Sequence, residues 1–260
     1  KPRWRSSRSV RPGSNKRMIK AVTFDFWETL VRDSPENLRR QRVLRIQALG
    51  RVLAVAGSRI GEAEVTEAYD RSEHVLVERF WGRHRDPLIA EQVRLVLETA
   101  SPGVSRVMTP ALFEEALAGY IEPVLQLPPE LEPGAEVAVR ELASRGVALG
   151  IISNTGRTPG VILRRVLERH DLLRHFTAVS YSDEVGYRKP DAEIFRRTLA
   201  ELGIGAGEAA HVGDNPVADV QGAQGVGMRG VHYAAAGRVG AAHADLIVAD
   251  LGDLAGLLMH

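Results

Sequence analysis

From residue 135 onward, short apolar segments typical of buried strands alternate with segments of helical periodicity. Parallel strands need a long connection between them, most often a helix, so this alternation predicts a parallel sheet covered by helices on both faces. The predicted strands cover residues 147–153, 176–182, 209–214, 228–233 and 245–250, and the predicted helices cover 135–145, 158–170, 191–202 and 216–224.

One more strand is predicted near the start of the chain, and a long helical segment separates it from the others. Residues 19–26 have the alternation of a buried strand. From Ser34, a helix N-cap followed by Pro35, to a proline-rich stretch at 127–134, the pattern predicts four helices and no strand. The predicted fold is α/β: a Rossmann-like parallel sheet formed by residues 18–33 and 130–260, with an inserted α-helical domain at 34–129.

The charge distribution separates the first 17 residues from the rest. Residues 1–17 contain seven basic and no acidic side chains, whereas the remainder has 27 basic against 33 acidic residues. Such a tail could bind nucleic acid or an anionic membrane, or it could be a disordered extension. We expect a disordered extension and no nucleic-acid partner. The chain has no cysteine and no apolar run of the roughly 18 residues that a membrane span requires. We predict a cytoplasmic protein, monomeric or homodimeric.

Four polar stretches fall at the carboxyl ends of predicted strands or on the loops that follow them. They contribute Asp25, Ser153, Lys189, and the pair Asp214 and Asp219. In an open α/β sheet, the carboxyl ends of the strands line one crevice in which ligands bind. Each residue alone could be a turn former or a helix cap. Together they offer a carboxylate nucleophile, a hydroxyl and an ammonium for phosphate oxygens, and further carboxylates for a hard cation.

Lys189 provides an independent argument for such a site. The chain has 30 arginines and four lysines, and Lys189 is the only lysine beyond residue 20. An ammonium is a compact point charge that a guanidinium does not replace in a crowded anionic site. A lysine at this position therefore indicates a specific task.

These stretches resemble the four sequence motifs of the haloacid dehalogenase-like hydrolase superfamily over residues 18–250, and the helical segment resembles its C1-type cap. The resemblance implies that Asp25 is a nucleophile that forms an aspartyl-phosphate. It implies that Ser153 hydrogen-bonds the transferring phosphoryl group and that Lys189 neutralises charge between nucleophile and phosphate.

The resemblance also implies a bound Mg²⁺ ion. Its ligands would be Asp25, Asp214 and the backbone carbonyl of Trp27, with Asp219 supporting or extending the metal shell. Candidate contacts to the substrate are Trp27, Thr29 and Asn154.

The stretch around Asp25 departs from the superfamily pattern at Trp27. Phosphatases of the superfamily carry an aspartate there, which protonates the leaving group and then activates water. An indole can do neither. Glu28, in place of the usual small residue, is the nearby carboxylate that could substitute.

Three branches of the superfamily also lack this aspartate. The 2-haloacid dehalogenases lack the acidic stretch that here holds Asp214 and Asp219. Phosphonatases use a lysine of the cap, and residues 21–188 contain no lysine. P-type ATPases have membrane spans, and this chain has no apolar run of the required length. We therefore predict a Mg²⁺-dependent phosphatase or phosphotransferase for a small phosphorylated metabolite. Two alternatives stay open: a binding or regulatory protein with little turnover, and a 2-haloacid dehalogenase.

Two other groups of residues have less specific patterns. Segment 78–87 concentrates Trp81, Arg83, His84 and Arg85, which could contact an anionic substrate or form a solvated surface, and we expect the surface. The eight histidines have no metal-binding spacing, and His211 is expected to be a strand residue packed near the site.

Overall fold

The computed structural model describes residues 18–235 and 237–259, so the prediction for the basic tail at 1–17 lies outside the described residues. The strands are β1 (Ala21–Phe24), β2 (Val31–Arg32), β3 (Glu130–Leu131), β4 (Ala148–Ser153), β5 (Phe176–Tyr181), β6 (Ala209–Gly213), β7 (Arg229–Tyr233) and β8 (Leu246–Val248). Six of them form one sheet in the order β5-β4-β1-β6-β7-β8, in which every neighbouring pair is parallel. The predicted parallel sheet is confirmed.

Helices pack on both faces of this sheet, as predicted. The helices are α1 (Pro35–Val55), α2 (Glu62–Arg79), α3 (Ile89–Ala100), α4 (Pro110–Ile121), α5 (Pro123–Gln126), α6 (Ala135–Ser144), α7 (Gly160–Arg169), α8 (Ser182–Val185), α9 (Ala192–Leu202), α10 (Gly222–Gly225) and α11 (Leu254–Leu258). Apolar side chains of α6, α7 and α11 form one cluster with the sheet, and those of α9 and α10 form another. Because both faces are covered, the central strands β1 and β6 are buried along their whole length.

The helical segment, residues 34–129, contains α1 to α5 and has a hydrophobic cluster of its own, which includes Leu49, Tyr69, Val96 and Tyr120. Ser34 caps α1, since its side chain accepts the Asn37 N–H at 3.0 Å. The fourth predicted helix is divided into α4 and α5 before Pro123, a residue that cannot donate a backbone hydrogen bond within a helix. No helix among the described residues has the length and apolar character of a membrane span.

Several short features were not predicted, including the helices α8 and α11. β2 and β3 form an antiparallel pair at the two ends of the helical segment, and strands of two residues have no readable periodicity. The helix predicted at 216–224 is a π-type turn, Pro216–Gln221, followed by α10. The Asn215 side chain accepts the backbone N–H groups of the first residues of this turn, at 3.0 and 2.9 Å.

Candidate active site

The predicted site residues come from neighbouring positions at one edge of the sheet. Asp25 follows β1, Ser153 ends β4 and Asp214 follows β6, and β4 and β6 lie on either side of β1. Lys189 lies on the loop between α8 and α9, and Asp219 lies in the π-type turn after β6. The sheet order therefore accounts for the approach of residues almost 200 positions apart in the chain.

Lys189 is buried between two carboxylates. Its Nζ lies 2.8 Å from Asp25 Oδ1 and 2.6 Å from Asp219 Oδ1, and its side chain is 1% exposed. Burial alone would lower the pKa of Lys189, but the charges of Asp219 and Asp25 raise it above its ordinary value. The ammonium is therefore charged and bridges the two acids.

The Asp25 carboxylate is held by its neighbours. Its Oδ1 also accepts the backbone N–H of Phe26 at 2.7 Å. Burial is the largest influence on the pKa of Asp25 and raises it, while the charge of Lys189 lowers it and that of Asp219 raises it further. Lys189 thus favours the ionised form that a nucleophile needs.

Asp219 is oriented by three protein groups. Besides Lys189, its Oδ1 lies 3.2 Å from His211 Nε2, and its Oδ2 accepts the Asn215 N–H at 2.8 Å. Although burial alone would raise the pKa of Asp219, the charge of Lys189 and the His211 hydrogen bond bring it below its ordinary value. Both carboxylate oxygens therefore have protein partners.

His211 is a positioning residue whose task the sequence did not reveal. It is fully buried on β6 near the site, where we expected it, and burial is the main cause of its lowered pKa. Because Asp219 can only accept, Nε2 of the neutral ring donates to it, and Nδ1 accepts the Thr23 hydroxyl at 2.8 Å. Thr23 and His211 lie opposite each other on the adjacent strands β1 and β6. The pairing of two polar residues within otherwise apolar strands is the signal that could have identified this contact.

Three carboxylates form a cluster suited to a hard cation. Oxygens of Asp25, Asp214 and Asp219 all lie within 4.8 Å of one another. Opposite ligands of a Mg²⁺ ion lie about 4.2 Å apart, from a metal–oxygen distance of about 2.1 Å. With all three ionised, three negative charges against the one positive charge of Lys189 leave a net charge of −2. The donor set and the charge therefore fit Mg²⁺.

Asp214 is the open member of this cluster. Its side chain is 25% exposed, and Arg238 Nη1 lies 3.7 Å from its Oδ2. Burial, followed by the charges of Asp25 and Asp219, raises the pKa of Asp214 to about 7. The protein alone thus supplies too little positive charge at Asp214, which a divalent cation would correct.

Two of the predicted site residues have a buried hydroxyl without a hydrogen-bond partner among the described residues. They are Ser153 Oγ and Thr29 Oγ1, and both side chains have no exposed surface. Ser153 is near enough to Asp25 to lower its pKa slightly, without a hydrogen bond of good geometry. A buried hydroxyl without a partner is unfavourable, so an acceptor oxygen of a ligand beside Asp25 would be stabilised by Ser153.

Asn154 was expected to contact the substrate, and the structure gives its side chain another partner. Its Oδ1 accepts the backbone N–H of Lys189 at 2.8 Å, and its Nδ2 donates to the Lys189 carbonyl at 3.1 Å. Both ends of the carboxamide are therefore engaged in joining the loop after β4 to the loop that bears Lys189. The substrate contact of Asn154 stays a prediction, and its two bonds to the Lys189 backbone support a role in positioning that loop.

Trp27 and Glu28 both contact other residues in the structure. The Trp27 ring is half-buried and meets Phe26 edge-on, with centroids 5.0 Å apart. Glu28 has a left-handed backbone (φ 56°), and its Oε2 accepts from Arg238 Nη2 at 3.1 Å. Glu28 is thus paired with a cation at the rim of the carboxylate cluster.

Segment 78–87 lies against the core. Arg83, His84 and Arg85 are exposed, as expected for a solvated surface, but Arg85 also pairs with Asp191 at 2.6 Å. The last acidic residue of this segment, Asp86, is buried. Asp86 was not predicted as a functional residue, because the cations and the tryptophan dominate the sequence pattern of this segment.

Comparison with known proteins agrees with this geometry. A model of the haloacid dehalogenase-like hydrolase family matches residues 19–227. A phosphoserine phosphatase of Thermus thermophilus is 32% identical over 230 residues, which cover 82% of this chain and 88% of that protein. A solved 2-haloacid dehalogenase from Pseudomonas syringae is 26% identical with a TM-score of 0.67, covering 93% of this chain and 98% of that one. A solved HAD phosphatase from Thermococcus onnurineus is also 26% identical, with a TM-score of 0.61 and coverage of 92% and 98%. The chain therefore belongs to the haloacid dehalogenase-like hydrolase family and is a hydrolase.

Proposed function

We propose that this hydrolase is a Mg²⁺-dependent phosphatase or phosphotransferase that acts on a small phosphorylated metabolite through an aspartyl-phosphate on Asp25. The observation that carries the proposal is the carboxylate cluster of Asp25, Asp214 and Asp219, with oxygens within 4.8 Å of one another beside a buried lysine. A metal-independent dehalogenase has no need of such a cluster. The name of the Thermus thermophilus relative, a phosphoserine phosphatase, supports a small phosphorylated substrate.

Asp25 and Asp214 would hold the metal together with the carbonyl of Trp27. Asp219 would act from behind them, because its oxygens already bind Lys189, His211 and Asn215. Bound there, Mg²⁺ would neutralise charge on the phosphoryl oxygens.

The chain's own residues account for the remaining steps. The Asp25 carboxylate attacks phosphorus, and the bond to the leaving oxygen breaks with its electron pair on that oxygen. The hydroxyls of Ser153 and Thr29 donate to phosphoryl oxygens, which gives these buried groups their missing partners. Water then attacks phosphorus, the bond between phosphorus and the Asp25 oxygen breaks with its electron pair on the carboxylate, and the water proton goes to the released phosphate or to solvent. Because the Trp27 indole is too weak an acid to protonate it, the leaving group must depart unassisted or take a proton from water.

The helical segment, residues 34–129, would close over this site as a cap on a core formed by residues 18–33 and 130–260. Its contacts to the loop after β4 and to the loop bearing Lys189 support this arrangement.

Dehalogenase activity is the second candidate, favoured by the similarity to the Pseudomonas syringae enzyme at a TM-score of 0.67. One set of assays separates the two. We expect p-nitrophenyl phosphate and acetyl phosphate to be hydrolysed with Mg²⁺ and not with a chelator, with no halide released from a 2-haloacid. Halide release that is indifferent to the chelator would establish the dehalogenase, and no turnover of either kind would favour a binding or regulatory protein. Asp25→Asn is the control for contaminating phosphatases.

A further inference from the structure

A buried carboxylate of the helical segment lies between that segment and the catalytic loops. Asp86 has a side chain with no exposed surface. Its Oδ1 accepts from Trp81 Nε1 of the same segment at 2.8 Å. Its Oδ2 accepts from Ser182 Oγ and Arg188 Nη1 of the core, each at 2.6 Å, with a longer contact of 3.4 Å from Thr155 Oγ1. One oxygen therefore bonds the helical segment and the other bonds the core.

Two of the three core donors belong to the loop that follows Ser153 and to the loop that bears Lys189, and the third, Ser182, is the first residue of α8. Thr155 lies two residues after Ser153, and Arg188 directly precedes Lys189. Ser182 Oγ also accepts the Thr155 backbone N–H at 2.9 Å, which bonds the start of α8 to the loop after β4. A displacement at Asp86 would thus reach both Ser153 and Lys189.

The backbone around Asp86 pairs with the lysine loop. The Arg188 N–H donates to the His84 carbonyl at 3.0 Å, and the Asp86 N–H donates to the Gly186 carbonyl at 3.3 Å. Residues 84–86 therefore lie along residues 186–188 as a short antiparallel pair. This pairing fixes where the Asp86 side chain enters the core.

The loop after β4 is bonded to the helical segment at each of four consecutive residues, 155–158. Besides Asp86 with Thr155, the bonds join Gln92 Nε2 to the Gly156 carbonyl (3.0 Å), the Arg157 guanidinium to Tyr120 Oη (2.7 Å), and the Arg45 guanidinium to Thr158 Oγ1 (3.1 Å). The position of this loop thus depends on the helical segment.

We propose that Asp86 is a positioning residue for the catalytic site. It holds the loop that follows Ser153 and the loop that bears Lys189 in their active arrangement. The helical segment then has a second task besides covering the substrate, because it supplies the anion that binds both loops. The inference rests on the proposed phosphatase function for its kinetic consequence, and on the structure alone for the ordering of the loops.

Asp86→Asn is the most selective test because it preserves shape. The carboxamide has one acceptor oxygen, which can serve Trp81 or the core donors but not both. We expect kcat and kcat/KM for p-nitrophenyl phosphate to fall together by about 10- to 100-fold, as for misplaced catalytic groups. In hydrogen exchange, the amides of 154–158 and 186–189 should exchange faster, while those of β1 and β6 should be unchanged.

Arg169→Gln is the matched control. Arg169 donates to the Leu125 carbonyl at 2.9 Å and so also joins core and helical segment, and among the described residues it has no hydrogen bond or ion pair to either catalytic loop. We expect its kcat to stay within about twofold of the native value, as for other exposed contacts. Ser182→Ala, which removes one donor to Asp86 without changing charge, should give an intermediate loss and serves if Asp86→Asn does not fold.

The outcomes separate this inference from the proposed function. Native loop exchange and native kcat in both Asp86→Asn and Ser182→Ala would overturn the positioning role. Reduced thermal stability with unchanged kcat would also overturn it, since Asp86 would then serve folding alone. If the native chain hydrolyses no phosphate ester, the proposed function fails, and the exchange experiment still decides whether Asp86 orders the two loops.

Discussion

The buried ammonium of Lys189 is the group whose removal tests the electrostatics of the site most severely. Lys189→Met keeps a long unbranched side chain and deletes the charge that lies 2.8 Å from Asp25 and 2.6 Å from Asp219. Two buried carboxylates would then face each other without a counter-charge. Removing one partner of a buried ion pair costs about 3–5 kcal/mol in the free energy of unfolding, and we expect a loss of this size near neutral pH without metal.

The loss should depend on pH in a defined direction. Without Lys189, the pKa values of Asp25 and Asp219 rise, because the charge that lowers them is gone. The folded variant then holds protons that the unfolded chain releases above its ordinary carboxyl pKa of about 4. Its stability therefore falls as pH rises, and the difference from the native protein should be larger near about pH 8 than near about pH 5.

Urea unfolding at both pH values, in buffer with a chelator, measures this difference. Lys20→Met is the matched control, since Lys20 pairs with Glu208 at 2.8 Å but its side chain is 50% exposed. An exposed pair is worth about 0–1 kcal/mol. The reasoning is refuted if Lys189→Met costs no more than Lys20→Met, or if its cost is the same at both pH values.

Three further predictions concern the leaving group, the metal and the stability profile. Trp27→Asp should raise the turnover of alkyl phosphates relative to that of acetyl phosphate. The gain can reach the factor of about 10²–10⁴ that general acid–base catalysis contributes. Equal effects on both substrates would contradict this prediction. Glu28→Gln should change neither rate much, because Glu28 is paired with Arg238. Arg238→Gln removes a half-exposed cation that lies 3.7 Å from Asp214. Calorimetric titration should therefore show Mn²⁺ or Mg²⁺ binding about two- to fivefold more tightly than in the native protein. Weaker metal binding would contradict this prediction. Burial raises the pKa of Asp183 from 3.8 to about 6, so ionising this carboxyl lowers the free energy of unfolding as pH rises through this window. In urea unfolding, Asp183→Asn should remove about 2–3 kcal/mol of that decline. An unchanged dependence of the free energy of unfolding on pH would contradict this prediction.

The sequence predicted the parallel sheet well because its strands are buried on both faces and are therefore apolar runs bounded by helices. The convergence of Asp25, Lys189, Asp214 and Asp219 followed from one rule, that the carboxyl ends of parallel strands meet at one edge. The pair of β2 and β3 could not be predicted, because two residues carry no period.

The supporting contacts of the site could not be predicted, since they depend on partners that only the tertiary structure defines. Asn154 binds the backbone of a residue 35 positions away, and Asp86 binds Ser182, which is 96 positions away. Nothing in the local pattern around either residue identifies its partner. The proposed roles of the site residues stay predictions until they are tested by substitution.

Rapid-quench kinetics with p-nitrophenyl phosphate and Mg²⁺ test the central claim, the aspartyl-phosphate on Asp25, most directly. Because Trp27 supplies no base for the second step, the intermediate should accumulate. We predict a burst of nitrophenolate close to one equivalent per chain, a phosphoryl group on the peptide that contains Asp25, and neither signal in Asp25→Asn. A burst with the phosphoryl group on another residue, or full turnover by a contaminant-free preparation of Asp25→Asn, would contradict the account.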